Sequence, residues 1–152
     1  MAEGSESGPG LAGLASLIGD WDMEIWAASF LPNPDDRVRA GVMHIEWTEG
    51  GALLAMRQVG DPGTPPAARW LVGRDDAEDD YHVLYSDARG VSRIYRMSFD
   101  GSEWKLWRDN ADFTQRFEGA LSADRDRIDA RWENCTKGGD WEHDFNVTYT
   151  RR

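Results

Sequence analysis

Turn signals recur roughly every 8–12 residues along this chain from Asp20 onward, and the segments between them alternate apolar and polar side chains. That period restricts the fold to an all-β sandwich or barrel. The segments are Trp21–Ser29, Val38–Trp47, Ala52–Val59, Trp70–Gly73, Tyr81–Tyr85, Val91–Phe99, Glu103–Arg108, Phe113–Leu121, Arg127–Asn134 and Trp141–Tyr149. Between them lie Glu49-Gly50-Gly51, the acidic run Asp75 to Asp80, Asp100-Gly101, Asp109-Asn110, Ser122 to Asp126 and Lys137-Gly138-Gly139. Glycine supplies positive φ in such hairpin turns. The stretch from Asp61 to Pro66, with three prolines, reads as a rigid loop.

Almost every connection is a short hairpin, which makes an up-and-down meander rather than a Greek key. A meander leaves two open edges unless its ends meet, and closure removes that hazard. The predicted fold is therefore a single antiparallel up-and-down barrel of about ten strands. Leu11, Leu14, Leu17 and Ile18 fall at helical spacing and predict one short helix or 3₁₀ turn plugging an end, closed by Gly19. Residues 1–10, rich in Gly, Ser and Glu, read as a disordered tail, leaving 11–152 as one barrel domain.

The charge balance limits the partners. The net charge is −11, from 28 acidic against 17 basic residues, a field that repels phosphate backbones and anionic lipid surfaces. Nucleic acid and membranes are excluded as expected partners. The pairs Arg37/Arg39, Arg125/Arg127 and Arg151/Arg152 are flanked by acids or end the chain and read as solvated strand ends. One cysteine, Cys135, precludes an intrachain disulfide; with no basic start and apolar core at the beginning of the chain, the expected compartment is the cytoplasm.

The Leu17-Ile18-Gly19-Asp20-Trp21 stretch, an apolar turn and Gly-x-Trp entering the first strand, resembles the start of lipocalins and the wider calycin superfamily. The stretches Trp47 to Leu54, Arg131-Trp132-Glu133 and Trp141 to Tyr149 look like small bacterial calycin-like proteins of unassigned function. The resemblance spans roughly residues 14–151 and extends to fatty-acid-binding proteins and nitrobindins. It departs from nitrobindins where Asp22-Met23-Glu24 follows Trp21 without further glycines.

Strand alternation assigns the inward face. It predicts Trp21/Met23/Ile25, Met43/Ile45/Trp47, Leu54/Met56/Gln58, Trp70/Val72, Tyr81/Val83/Tyr85, Arg93/Tyr95/Met97/Phe99, Trp104/Leu106, Phe113/Gln115/Phe117, Ile128/Ala130/Trp132 and His143/Phe145/Val147/Tyr149. For the second strand Val42/His44/Glu46 is an alternative face. Barrel diameter grows with strand number, so about ten strands should leave room for a ligand. The candidate ligand-binding residues are Gln58, Tyr85, Arg93, Tyr95, Gln115, Trp132, His143 and Tyr149. Sparse polar groups in an apolar wall mark a small-molecule site.

Arg93 and Tyr95 are two residues apart on one face, and an inward guanidinium needs an anion. A ligand carboxylate would serve; the alternatives are an internal acid such as Glu46 or a slipped register that leaves Arg93 in water. The fatty-acid-binding-protein resemblance implies similar Arg-x-Tyr chemistry, placed there in the final strand. Nitrobindins carry their haem ligand on a C-terminal-strand histidine, and His143 resembles it in placement. Haem is thus the alternative cofactor to none at all. His143 is also the best candidate acid/base for a metal-free isomerase, cyclase or lyase in the same pocket. No Ser or Cys triad, zinc spacing or calcium loop is present, so no metal is expected unless His143 holds haem. The leading expectation is binding of a small hydrophobic or aromatic molecule, with a homodimer through outer tryptophans such as Trp26 and Trp107 as a further expectation.

Overall fold

The computed structural model describes residue 8, residues 10–60 and residues 67–152. The expected tail over 1–10 (apart from Gly8 and Gly10) and the expected loop over 61–66 lie outside the described residues. Ten strands follow one another: β1 Gly19–Trp26, β2 Val38–Thr48, β3 Leu53–Val59, β4 Ala68–Arg74, β5 Tyr81–Asp87, β6 Ser92–Phe99, β7 Glu103–Arg108, β8 Phe113–Leu121, β9 Arg127–Thr136 and β10 Glu142–Arg151. Each pairs antiparallel with its neighbours in sequence, and β1 pairs β10, closing the barrel. No edge remains open. No helix among the described residues is long and apolar enough to cross a membrane.

The expected inward faces hold along nine strands and for three of the four residues expected inward on the tenth. Trp21, Leu54, Val72, Val83 and Met97 have no accessible surface, and Met43 and Ile45 are buried, which selects that face of β2 over Val42/His44/Glu46. Glu46 is exposed opposite Ala55 and so is no internal partner for Arg93. β1 ends at Trp26, before the expected Ser29, because Ala27 takes a φ of 49° that extended backbone cannot continue.

Two register shifts shape the rim. One separates Met23 and Glu24, whose partners on β2 are Gly41 and Arg39. Gly41 has a φ of 94°, and a Cβ there would sit 2.1 Å from the Val59 carbonyl oxygen, so only glycine fits this bulge. The other lies between His143 and Phe145.

The plug is a 3₁₀ helix, Ala12–Leu17, with Leu14 and Leu17 fully buried. Gly19 opens β1 instead of capping the helix. The Trp21 indole N–H donates to the Leu17 carbonyl at 2.9 Å, tying plug to strand. Arg151, on the last strand, stacks its guanidinium 4.1 Å over the Trp21 ring and donates to the carbonyls of Ile18 and Ser16. Read from sequence as a solvated strand end, Arg151 is instead a latch three-quarters buried over the plug.

Candidate functional site

Inside the barrel, above the plugged end, is a cavity of about 200 Å³. Its base is formed by Met23, Met43, Met56, Trp104, Phe117 and Tyr149, and its side wall by Trp70, Tyr85, Tyr95 and Trp132. The aromatic rings form one connected cluster: Trp104 meets Phe117 edge-on at 4.8 Å, Phe117 lies 5.1 Å from Trp132, and Trp70 stacks on Trp132 at 6.0 Å. Aromatic side chains occupy much of the space that ten strands enclose, so the cavity is smaller than strand number alone suggests. It is still larger than the roughly 150 Å³ apolar cavity that takes up one benzene.

The wall contains two orphan donors. The indole N–H groups of Trp70 and Trp104 are buried with no acceptor among the described residues. A buried unsatisfied donor costs about 1–3 kcal/mol, and such groups in a native interior call for an explanation.

At the other end the lining turns polar and half-buried: Gln58, Arg93 and Gln115, with Phe145 beside them. Gln58 donates to the Ala40 carbonyl at 3.1 Å, bridging the β2 bulge. Tyr95 donates its hydroxyl to Gln115 Oε1. Burial pushes the Tyr95 phenol up, against the downward pull of Arg93 and Arg108, whose guanidinium groups lie close enough to act on it. Arg93 packs on the Phe113 ring at 5.1 Å. Among the described residues neither Arg93 nor Arg108 makes an ion pair.

The neighbouring acid is already engaged. Asp87 accepts from Arg89 at 2.6 Å and from the Tyr85 hydroxyl at 2.7 Å, and these bonds hold its carboxyl well below the usual range. Burial, then the bond to Asp87, pushes the Tyr85 phenol up to about 12. Two arginines thus converge on one phenol while the nearby carboxylate serves a third.

Of the eight sequence-predicted site residues, seven line this cavity: Gln58, Tyr85, Arg93, Tyr95, Gln115, Trp132 and Tyr149. His143 does not. The bulge at Asp144 pairs His143 with Glu133 and Phe145 with Trp132, so the alternation flips between them. His143 is exposed, and its Nε2 lies 3.2 Å from the Ala27 carbonyl oxygen. The expected inward histidine is thus corrected: neither an acid/base nor a haem ligand reaches the cavity from this position. Arg108, missed in the sequence, follows Trp104 and Leu106 in the same alternation and is half-buried.

No His, Cys, Lys, Asp or Glu lines the cavity among the described residues. Tyr149 is buried, and burial alone drives its phenol far above its ordinary value. The proton is therefore retained by the fold above pH 10, where the unfolded chain releases it. Stability from this group is complete below about pH 10 and lost as pH rises, by about 1.4 kcal/mol per unit. Urea unfolding at pH 9, 10 and 11 is expected to show a loss in the wild type that steepens above pH 10 toward that slope, and a smaller loss in Tyr149→Phe.

No protein-family model matches the chain, and no curated protein matches it in sequence. Among solved structures it is similar to Rv2717c from M. tuberculosis, with a TM-score of 0.56 at 11% identity, over 97% of this chain and 99% of that one. The likeness is one of fold. It shows that the closed barrel is shared along essentially the full length of both chains.

Proposed function

We propose that the barrel binds a small planar aromatic molecule bearing an anionic group, with its rings among Trp70, Tyr95 and Trp132 and its anion on Arg93 and Arg108. The observation that carries this reading is the Arg93 guanidinium at the half-buried end of an aromatic cavity, with the Arg108 guanidinium also close to the Tyr95 phenol and neither arginine ion-paired among the described residues. Charge-assisted bonds to a carboxylate are the strong kind, and arginine presents them as a fork. A cavity of about 200 Å³ suits one or two fused rings rather than a long acyl chain. An acceptor on the ligand's edge would also satisfy the Trp70 or Trp104 N–H.

Binding is favoured over catalysis because the lining carries no imidazole, thiol, amine or carboxylate among the described residues, and burial pushes its tyrosine phenols up, away from neutrality. The Gly-x-Trp entry and the closed meander support a calycin-like reading of the chain. The free thiol of Cys135, bonded to the Gly139 carbonyl at 2.9 Å, accords with a reducing compartment.

Titration of the intrinsic tryptophan fluorescence with 2-naphthoate and with its neutral amide tests the reading. The carboxylate is expected to bind at least about tenfold more tightly, the equivalent of ~1.4 kcal/mol. Equal affinity would remove the anion site; no response to either probe would remove the binding function itself.

A further inference from the structure

The outer wall of β3 to β6 carries an apolar row that the barrel does not use. Leu71 on β4 pairs with Leu84 on β5, and Leu84 with Ile94 on β6, so the three stand side by side across adjacent strands. They are 38%, 44% and 63% exposed, and make up half of the six exposed large hydrophobic residues on the described surface. Ala55 on β3 extends the row. Trp26 and Trp107, the outer tryptophans from which self-association was expected, are less exposed: the Trp26 ring lies under the Arg37 guanidinium at 4.5 Å, and its N–H is bonded to Thr148.

The charges on either side of this row have opposite signs. Toward the cavity's polar end, Arg57 and Arg69 face each other across β3 and β4, and neither makes an ion pair among the described residues. Like charges directly opposite on a sheet repel. Toward the plugged end is the β4–β5 hairpin, where Arg96 engages Glu78 at 2.5 Å and Asp80 at 3.6 Å, while Asp75, Asp76 and Asp79 make no ion pair among the described residues. Arg69 stands two residues before Leu71 on the strand, and Asp75 four residues after it.

We infer that a second copy of this chain docks on the wall through an isologous two-fold contact. A two-fold axis lying in the contact plane and running across the strands at the level of Val72 sets Arg69 of each copy against Asp75 of the other. Each sits about 10 Å from that axis, three residues at ~3.4 Å apiece. The same rotation lays the two Leu71–Leu84–Ile94 rows beside each other, sealing them from water. The contact thereby supplies the counter-charge that the Arg57/Arg69 pair and the hairpin acids each lack. The apolar centre is narrow beside the ~800 Å² per partner of a standard interface, so the dimer is of micromolar rather than nanomolar strength.

Sedimentation velocity of the full chain between about 1 and 200 µM reads this directly. The wild type is expected to pass from monomer to dimer across that range. Leu84→Asp and, separately, Ile94→Asp should stay monomeric throughout with unchanged thermal unfolding, since both side chains project from the wall. Arg69→Asp should weaken association about tenfold or more, and adding Asp75→Arg to it should restore the dimer. A wild type that is monomeric at every concentration overturns the inference, as does a dimer unaffected by Leu84→Asp and Ile94→Asp, or an Asp75→Arg change that fails to rescue Arg69→Asp.

Discussion

Arg151→Ala is expected to destabilise the barrel by about 3 kcal/mol, most of it from the loss of bonds that a charged donor makes to half-buried carbonyls. Arg151 Nη1 donates to the Ile18 carbonyl at 2.6 Å, Nη2 to Ser16 at 2.8 Å, and Nε to Arg125 at 3.0 Å. The first two carbonyls end the 3₁₀ helix, where no backbone N–H remains to satisfy them. The guanidinium also covers the face of Trp21, whose own N–H is committed to Leu17. Removing it leaves acceptors stranded, with the Trp21–Leu17 bond and the burial of Leu14 and Leu17 left to hold the plug. Lysine keeps the charge but cannot reach three carbonyls from one plane, so Arg151→Lys should recover less than half of the loss. Gly19→Ala should act on the same latch from the other side, because its Cβ would lie 2.5 Å from Arg151 Nη1. Urea unfolding monitored by tryptophan fluorescence measures all three variants; a loss below about 1 kcal/mol for Arg151→Ala would show that the latch is dispensable.

The second large effect concerns affinity. Alanine at Arg93 or at Arg108 should weaken an aromatic carboxylate about tenfold each, and the double change about a hundredfold, since each guanidinium contributes one charge-assisted contact at a half-buried site. A neutral ligand of the same shape should be nearly indifferent to both. Stability is expected to move the other way: the two cations converge on Tyr95 with no ion-pair partner among the described residues, so removing one relieves repulsion. A substitution that costs affinity while leaving the fold equal or firmer is the mark of a group kept for binding.

Most of the fold was legible because its period is local. Segments such as Glu103–Arg108 and Phe113–Leu121 match the observed strands at both ends, and the inward sets followed from alternation. The interior aromatics and Arg93 were reachable for the same reason. Three features were not. The Asp144 bulge, which turns His143 outward, has no glycine or proline to announce it, and one extra residue inverts every side chain before it. Arg108 sits where the strand was read as ending, although the Trp104 and Leu106 alternation reaches it. Arg151 finds its carbonyls 133 and 135 residues away, a pairing that exists only once β1 and β10 close the barrel. Cavity size likewise depends on how rings such as Trp104 and Phe117 tilt against each other, which spacing along the chain does not encode.

Calorimetric titration of 2-naphthoate into the wild type and into the Arg93→Ala, Arg108→Ala double variant tests the central claim most directly. Saturable one-to-one binding to the wild type, weakened about a hundredfold in a double variant that still binds 2-naphthamide as the wild type does, is the predicted result. A double variant that binds 2-naphthoate as tightly as the wild type would contradict it.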